Sequence, residues 1–127
     1  MPLVRVSLMK GKPVGFATEA GRIIYEAMVE VLNVPDKDRF QVITEHDPGG
    51  LIYDPEYAGI HRTDSIVLVQ ITLNEGRSVE LKKVFYKRVA ERLNAELGVR
   101  IQDVFINLVE VKRENWSFGN GIAQYAV

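Results

Sequence analysis

The residue with the most distinctive chemistry is the second one. In Met1-Pro2-Leu3-Val4-Arg5-Val6-Ser7-Leu8, removal of the initiator methionine would make Pro2 a free secondary amine. It would head a strand, because Val4, Val6 and Leu8 alternate with more polar positions. An α-amino group titrates near pH 8, so desolvation and a cationic neighbour need lower it by only about one unit, about 1.4 kcal/mol, to leave it mostly neutral at pH 7. Carboxylates nearby push the other way and hold it protonated. The neighbours therefore choose between base and acid. Proline also suits a strand's first position for a plainer reason, since no ladder N–H is needed there.

Other chemistries find less support. With no cysteine among 127 residues, disulfides, thiolate catalysis and Cys-ligated zinc are excluded. His46 and His61 accompany Asp47, Asp54 and Asp64, but their spacing matches no ligand frame, and loop aspartates usually make turns. No metal site is expected. Serine and histidine occur without a nucleophile elbow, and Gly11-Lys12-Pro13 lacks a phosphate-cradling pattern. No cofactor is implied. Sixteen Lys+Arg balance seventeen Asp+Glu, which gives no long-range field favouring nucleic acid or an anionic membrane. With no charged leader and no apolar run long enough for a span, the expected setting is the cytoplasm.

The elements that must position Pro2 follow from periodicity. After the opening strand, Lys10-Gly11-Lys12-Pro13 is turn chemistry, and from about Thr18 the residues Ala20, Ile23, Ile24, Ala27, Met28, Val31 and Leu32 recur at helical spacing. Pro35 disfavours helix at Val34, and Phe40 to Glu45 then alternates as a strand. A Gly-, Pro- and Asp-rich connection, 46–64, is longer than an ordinary connector and suggests a functional or oligomer-facing loop. Ser65 to Leu73 is almost continuously apolar, as for a strand covered on both faces. Ser78 is a candidate N-cap for a second helix with Leu81, Val84, Phe85, Val89 and Leu93 on its apolar face, ending near Leu97-Gly98. Val104 to Val111 is a last strand, and 112–127 is a tail carrying Trp116-Ser117-Phe118-Gly119.

The order β-α-β thus occurs twice. A shift of 65 aligns the halves without a gap, pairing Val4 with Val69, Gly11 with Gly76, Leu32 with Leu97, Asp38 with Asp103 and Phe40 with Phe105. One domain, 1–127, is expected, built from pseudo-repeats at about 2–45 and 67–110. Its class is α/β, more closely α+β layered, with a four-stranded sheet and two helices on one face. The bare face needs cover, and oligomerisation supplies it economically. Pro2 pairs with Val67, so only one half can present a terminal nitrogen.

A duplicated β-α-β unit, proline after Met1, and arginine just beyond the second unit's first strand resemble the tautomerase superfamily. The similarity is closest to the malonate semialdehyde decarboxylase branch. It is carried by Val34-Pro35-Asp36-Lys37-Asp38-Arg39-Phe40-Gln41, His46-Asp47-Pro48-Gly49, Gly76-Arg77-Ser78 with Lys82 and Phe85-Tyr86-Lys87, and Trp116-Ser117-Phe118-Gly119. The resemblance implies a homotrimer, with Pro2 in a small pocket as acid or base on a small 2-oxo, enol or unsaturated carboxylic acid. It implies Arg77 as carboxylate binder, whose planar fork gives two parallel charge-assisted hydrogen bonds. Asp38 matches an aspartate that orients water or the proline, although Asp103, with no proline to serve, reads as a structural turn residue. Trp116 and Phe118 match pocket-lining aromatics. Glu75 stands where the branch has a second arginine, which counts against decarboxylation unless Arg39, Arg62 or a neighbouring subunit compensates. The competing expectation is a trimeric binding or structural module without catalysis.

Overall fold

The computed structural model describes residues 2–126. Strands β1 (Leu3–Met9), β2 (Gln41–His46), β3 (Val67–Asn74) and β4 (Val104–Val111) form one mixed sheet in the order β2-β1-β3-β4. The pairs β1/β2 and β3/β4 are parallel, whereas β1 and β3 run antiparallel at the centre. Helices α1 (Phe16–Leu32) and α2 (Val79–Leu97) pack on each other and on one sheet face. The fold is the expected α+β layer.

The repeat is visible bond by bond. Val4 is opposite Gln41 as Val69 is opposite Ile106, and Arg5 faces Gln70 across the central pair, both 65 apart. A pseudo-twofold axis therefore passes through the Arg5–Gln70 pair. Lys10 N donates to His46 O and Glu75 N to Val111 O, which is the same bond in each half. Asn33 and Gly98 both close their helices in the left-handed region, at φ 57° and 69°, where glycine has no Cβ to strain and asparagine is tolerated. The correspondence continues beyond the strands. Gly50 N donates to Asp47 O as Asn115 N donates to Lys112 O, so the start of the long loop is the first half's version of the tail.

The core is built from one strand face and the helices' apolar stripes. Val4, Val6 and Leu8 from β1 and Val67, Val69, Ile71 and Leu73 from β3 meet Ile23, Ile24, Met28, Phe85, Val89 and Leu93. Fully burying one such side chain contributes roughly 1.5–3 kcal/mol. Gly21 lets α1 approach β2, since a Cβ there would sit 2.7 Å from Gln41 Oε1, and Gln41 Nε2 donates to the Gly21 carbonyl at 2.8 Å. Ser78 caps α2 by accepting from Leu81 N at 3.2 Å.

Several expectations are corrected. Helix α1 begins earlier, at Phe16, because left-handed Gly15 at φ 86° can precede it. Val84 is 50% exposed on the outer side of α2, since the helix buries only Phe85, Val89 and Leu93. Strand β3 alternates, with Leu68, Gln70 and Thr72 on the sheet face away from the helices. Within one chain, then, its continuous apolar run is covered on one side alone. That open face also carries Val42 (43% exposed), Phe105 (41%) and Val109 (37%).

Candidate active site

Pro2 is buried at the start of β1. It lines a cavity of about 200 Å³ with Leu3, Phe40, Trp116, Ser117 and Phe118. The strand order explains the meeting: β1 begins where antiparallel β3 ends, and the tail after β4 returns across that end. Trp116 and Phe118 stack with ring centroids 5.7 Å apart, and Tyr125 meets Phe118 edge-on at 5.1 Å. Gln124 fixes the turn beneath them, accepting from Phe118 N at 2.9 Å and donating to Gly119 O at 2.9 Å. The result is an aromatic wall beside the proline.

Asn74, at the end of β3, ties this wall to the arginine. Its side-chain oxygen accepts from Trp116 Nε1 at 2.8 Å, and its carbonyl accepts from Arg77 Nη1 at 3.1 Å. Arg77 Nε donates to Leu32 O at the C-terminus of α1 at 3.1 Å. These bonds fix the guanidinium and leave its Nη2 donors without an acceptor among the described residues. Glu110 lies behind it, bound by Lys82 at 2.8 Å. The Lys82 hydrogen bond, with help from the Gly76 N–H and Arg77, holds the Glu110 carboxyl below its ordinary range.

Asp38 is half-buried just before β2, its backbone N donating to Pro35 O at 3.3 Å. Neither Asp38 nor Arg77 lines the cavity itself. The cavity thus unites Pro2, Trp116 and Phe118, while Arg77 joins through Asn74. Removal of Met1 concerns a residue outside those described. Glu75 is exposed, its backbone N bonded to Val111 O. Arg39 bonds Gln41 and lies over the Tyr25 ring at 5.1 Å, and Arg62 lines a different cavity. Sequence reasoning missed Asn74 and Phe40. The repeat signalled Phe40 through Phe105, whereas no pattern in the sequence singled out Asn74 at the end of β3.

The counterpart site differs as the repeat demands. Asp103 is fully buried and accepts from Thr63 N at 2.7 Å and Thr63 Oγ1 at 2.6 Å. It clamps the chain just upstream of β3. Lys12, the repeat mate of Arg77, has its pKa lowered by burial and partly restored by the Asp103 charge. Where the second half bonds Trp116 to Asn74, the first half has Leu51 packed with Met9 in a small apolar cluster.

Two profiles of the family described as tautomerase enzyme match the chain, over residues 38–119 and 2–60. A probable tautomerase of Bacillus subtilis (strain 168), YusQ, is 42% identical over 124 residues, covering 98% of each chain. The structure of FG41 malonate semialdehyde decarboxylase inhibited by 3-bromopropiolate superposes with a TM-score of 0.88 at 36% identity, covering 97% of this chain and 93% of that one. A wild-type fused 4-OT symmetric trimer shares the fold, with a TM-score of 0.79 at 24% identity and coverage of 98% and 97%. The two β-α-β halves and the proline-headed central strand define a tautomerase-type fold. The chain belongs to the tautomerase superfamily. No described helix is long and apolar enough to cross a membrane.

Proposed function

We propose that the protein is a cofactor-independent enzyme that uses Pro2, freed by removal of Met1, as acid or base on a small 2-oxo, enol or unsaturated carboxylic acid. The observation that carries this reading is the burial of Pro2 in an apolar cavity under Trp116 and Phe118. Desolvation there favours the neutral amine at pH 7. In ketonisation of an enol, the amine nitrogen takes the hydroxyl proton as the carbonyl forms, and the prolinium returns a proton to the adjacent carbon. Arg77 binds the substrate carboxylate through Nη2, held in place by its bonds to Leu32 O and Asn74 O. Asp38 orients the proline or a water. Support for that role comes from the repeat, because Asp103 holds the residues just upstream of β3, and the equivalent place before β1 is the amino terminus.

A homotrimer is part of the proposal, supported by the open sheet face and by the fused 4-OT trimer that shares the fold. The cytoplasm is its proposed location. Decarboxylation or hydration is a second reading, favoured by the 36% identity to a malonate semialdehyde decarboxylase and disfavoured by exposed Glu75 in place of a second arginine. The test is a panel of small oxo, enol and unsaturated acids assayed with processed protein and with Pro2→Ala. Fast ketonisation of phenylenolpyruvate that falls in the variant supports the proposal, and equal rates refute it.

A further inference from the structure

The repeat supplies a second version of the cavity. Opposite the Pro2 site, a second cavity of about 270 Å³ is lined by Leu68, Phe105, Ile52 and Tyr53, which are the 65-residue mates of Leu3, Phe40, Ser117 and Phe118. Where the first cavity holds the proline, the second holds Ile66 and a guanidinium, that of Arg62. Arg62 is only 8% exposed and lies 5.9 Å from the Phe105 ring centroid. All its side-chain hydrogen bonds run through Nη1, to the carbonyls of Tyr57 (2.9 Å), Ile60 (3.3 Å) and Asp54 (3.4 Å). Nε and Nη2 have no acceptor, and Arg62 forms no ion pair, among the described residues. A buried cation without a counter-charge is costly unless something supplies one. The Nε–Nη2 edge is the side-on fork that takes both oxygens of a carboxylate. Asp54 also lines the cavity, its carboxylate accepting from Glu56 N at 2.8 Å, and a charge held on this same loop disfavours a second negative charge on the ligand.

We propose that this second cavity is a binding site for a small monocarboxylic acid with a flat apolar body. The carboxylate lies on Arg62 Nε and Nη2, and the body lies between Phe105, Leu68 and Ile52, where the open sheet face meets the loop, so in the proposed trimer the site lies beside the subunit interface. The site binds without catalysing proton transfer by a terminal amine, since the chain runs through it from Ser65 to Val67. It stands independently of the role given to Pro2.

The test is titration of the full chain with phenylacetate, followed by amide NMR and calorimetry. Saturable shifts at Ile66, Leu68 and Phe105 are expected, with binding at least tenfold weaker in Arg62→Gln and for the neutral probe phenylacetamide. Arg62 also holds the loop, so a second variant, Leu68→Trp, fills the cavity from β3 and leaves those loop bonds in place. It too must lose the response. A preparation that retains Met1 has an acylated Pro2 nitrogen and must still show the Phe105 response, which separates this site from the Pro2 reading. Silence at those amides, undiminished binding in Leu68→Trp, or equal binding of the amide overturns the proposal.

Discussion

Asn74 gives the sharpest test of how the site is held together. Asn74→Ala removes the acceptor of Trp116 Nε1, a 2.8 Å bond, and leaves the backbone carbonyl that takes Arg77. A neutral hydrogen bond of this kind contributes about 1 kcal/mol net. Since each 1.4 kcal/mol is tenfold, that amounts to about a fivefold shift away from the docked tail. If the docked tail is the competent form, kcat/KM for phenylenolpyruvate falls by about that factor. Trp116→Phe removes the same bond from the other side and should cost about as much. The double variant should cost little more than either single one, a coupling of about 1 kcal/mol in a double-mutant cycle. Ultraviolet loss of the enol gives the rates, and tryptophan emission reports docking in the Asn74 variant. Single losses that multiply to about 25-fold, or no loss in either single variant, would refute the claim that this bond seats the wall.

Further outcomes follow from the same geometry. Asp103→Ala should lower unfolding stability by about 3 kcal/mol, since it strips both Thr63 bonds from a buried carboxylate; urea titration measures it. Asp38→Ala, by contrast, should reduce kcat/KM while shifting the urea midpoint less. Equal behaviour of the two variants would return Asp38 to a turn role. Arg77→Lys should not restore the kcat/KM for the acid that Arg77→Ala lowers, because a single ammonium cannot hold the Leu32 and Asn74 carbonyls and present a further donor in the guanidinium's fixed plane; full activity in either variant contradicts the carboxylate assignment. Glu26 and Glu96 bridge α1 to α2 through Arg92 and Arg22. Hydrogen bonds, those from Arg92 first, hold both carboxyls below their usual 4.5. Their folded values lie below the unfolded ones, so this contribution is full above that pH and is lost as pH falls through the folded values. Tm followed from pH 7 into the acid range should drop less steeply in Arg92→Ala, and an identical slope would show that the network adds nothing.

Much of the fold was legible because local signals and the repeat agreed. Ser78, Pro35 and the Ala20–Leu32 stripe each marked an element, and the offset of 65 carried one half onto the other. What escaped were relations that only strand order creates. Antiparallel pairing of β1 with β3 brings Asn74 beside the Pro2 end, and no linear pattern announces that. Val84 misled because its apolar character says nothing of which side α2 turns to solvent. The loop 46–64 read as an overlong connector, functional or oligomer-facing, yet its turn repeats the one before Trp116. With aromatic Trp116 replaced by Leu51 and Asn74 by Met9, the sequence similarity there is faint while the backbone is kept. In the site, Pro2, Trp116 and Phe118 were legible by type, but the route from Arg77 to them through Asn74 was not.

The central claim is that catalysis resides in a free Pro2 nitrogen. The most direct measurement compares two preparations distinguished by intact mass, one with Met1 removed and one retaining it, in the ketonisation of phenylenolpyruvate. Acylation leaves the nitrogen no basic lone pair, so the processed protein should turn over and the Met1-bearing protein should not. Equal rates in the two preparations would contradict the account.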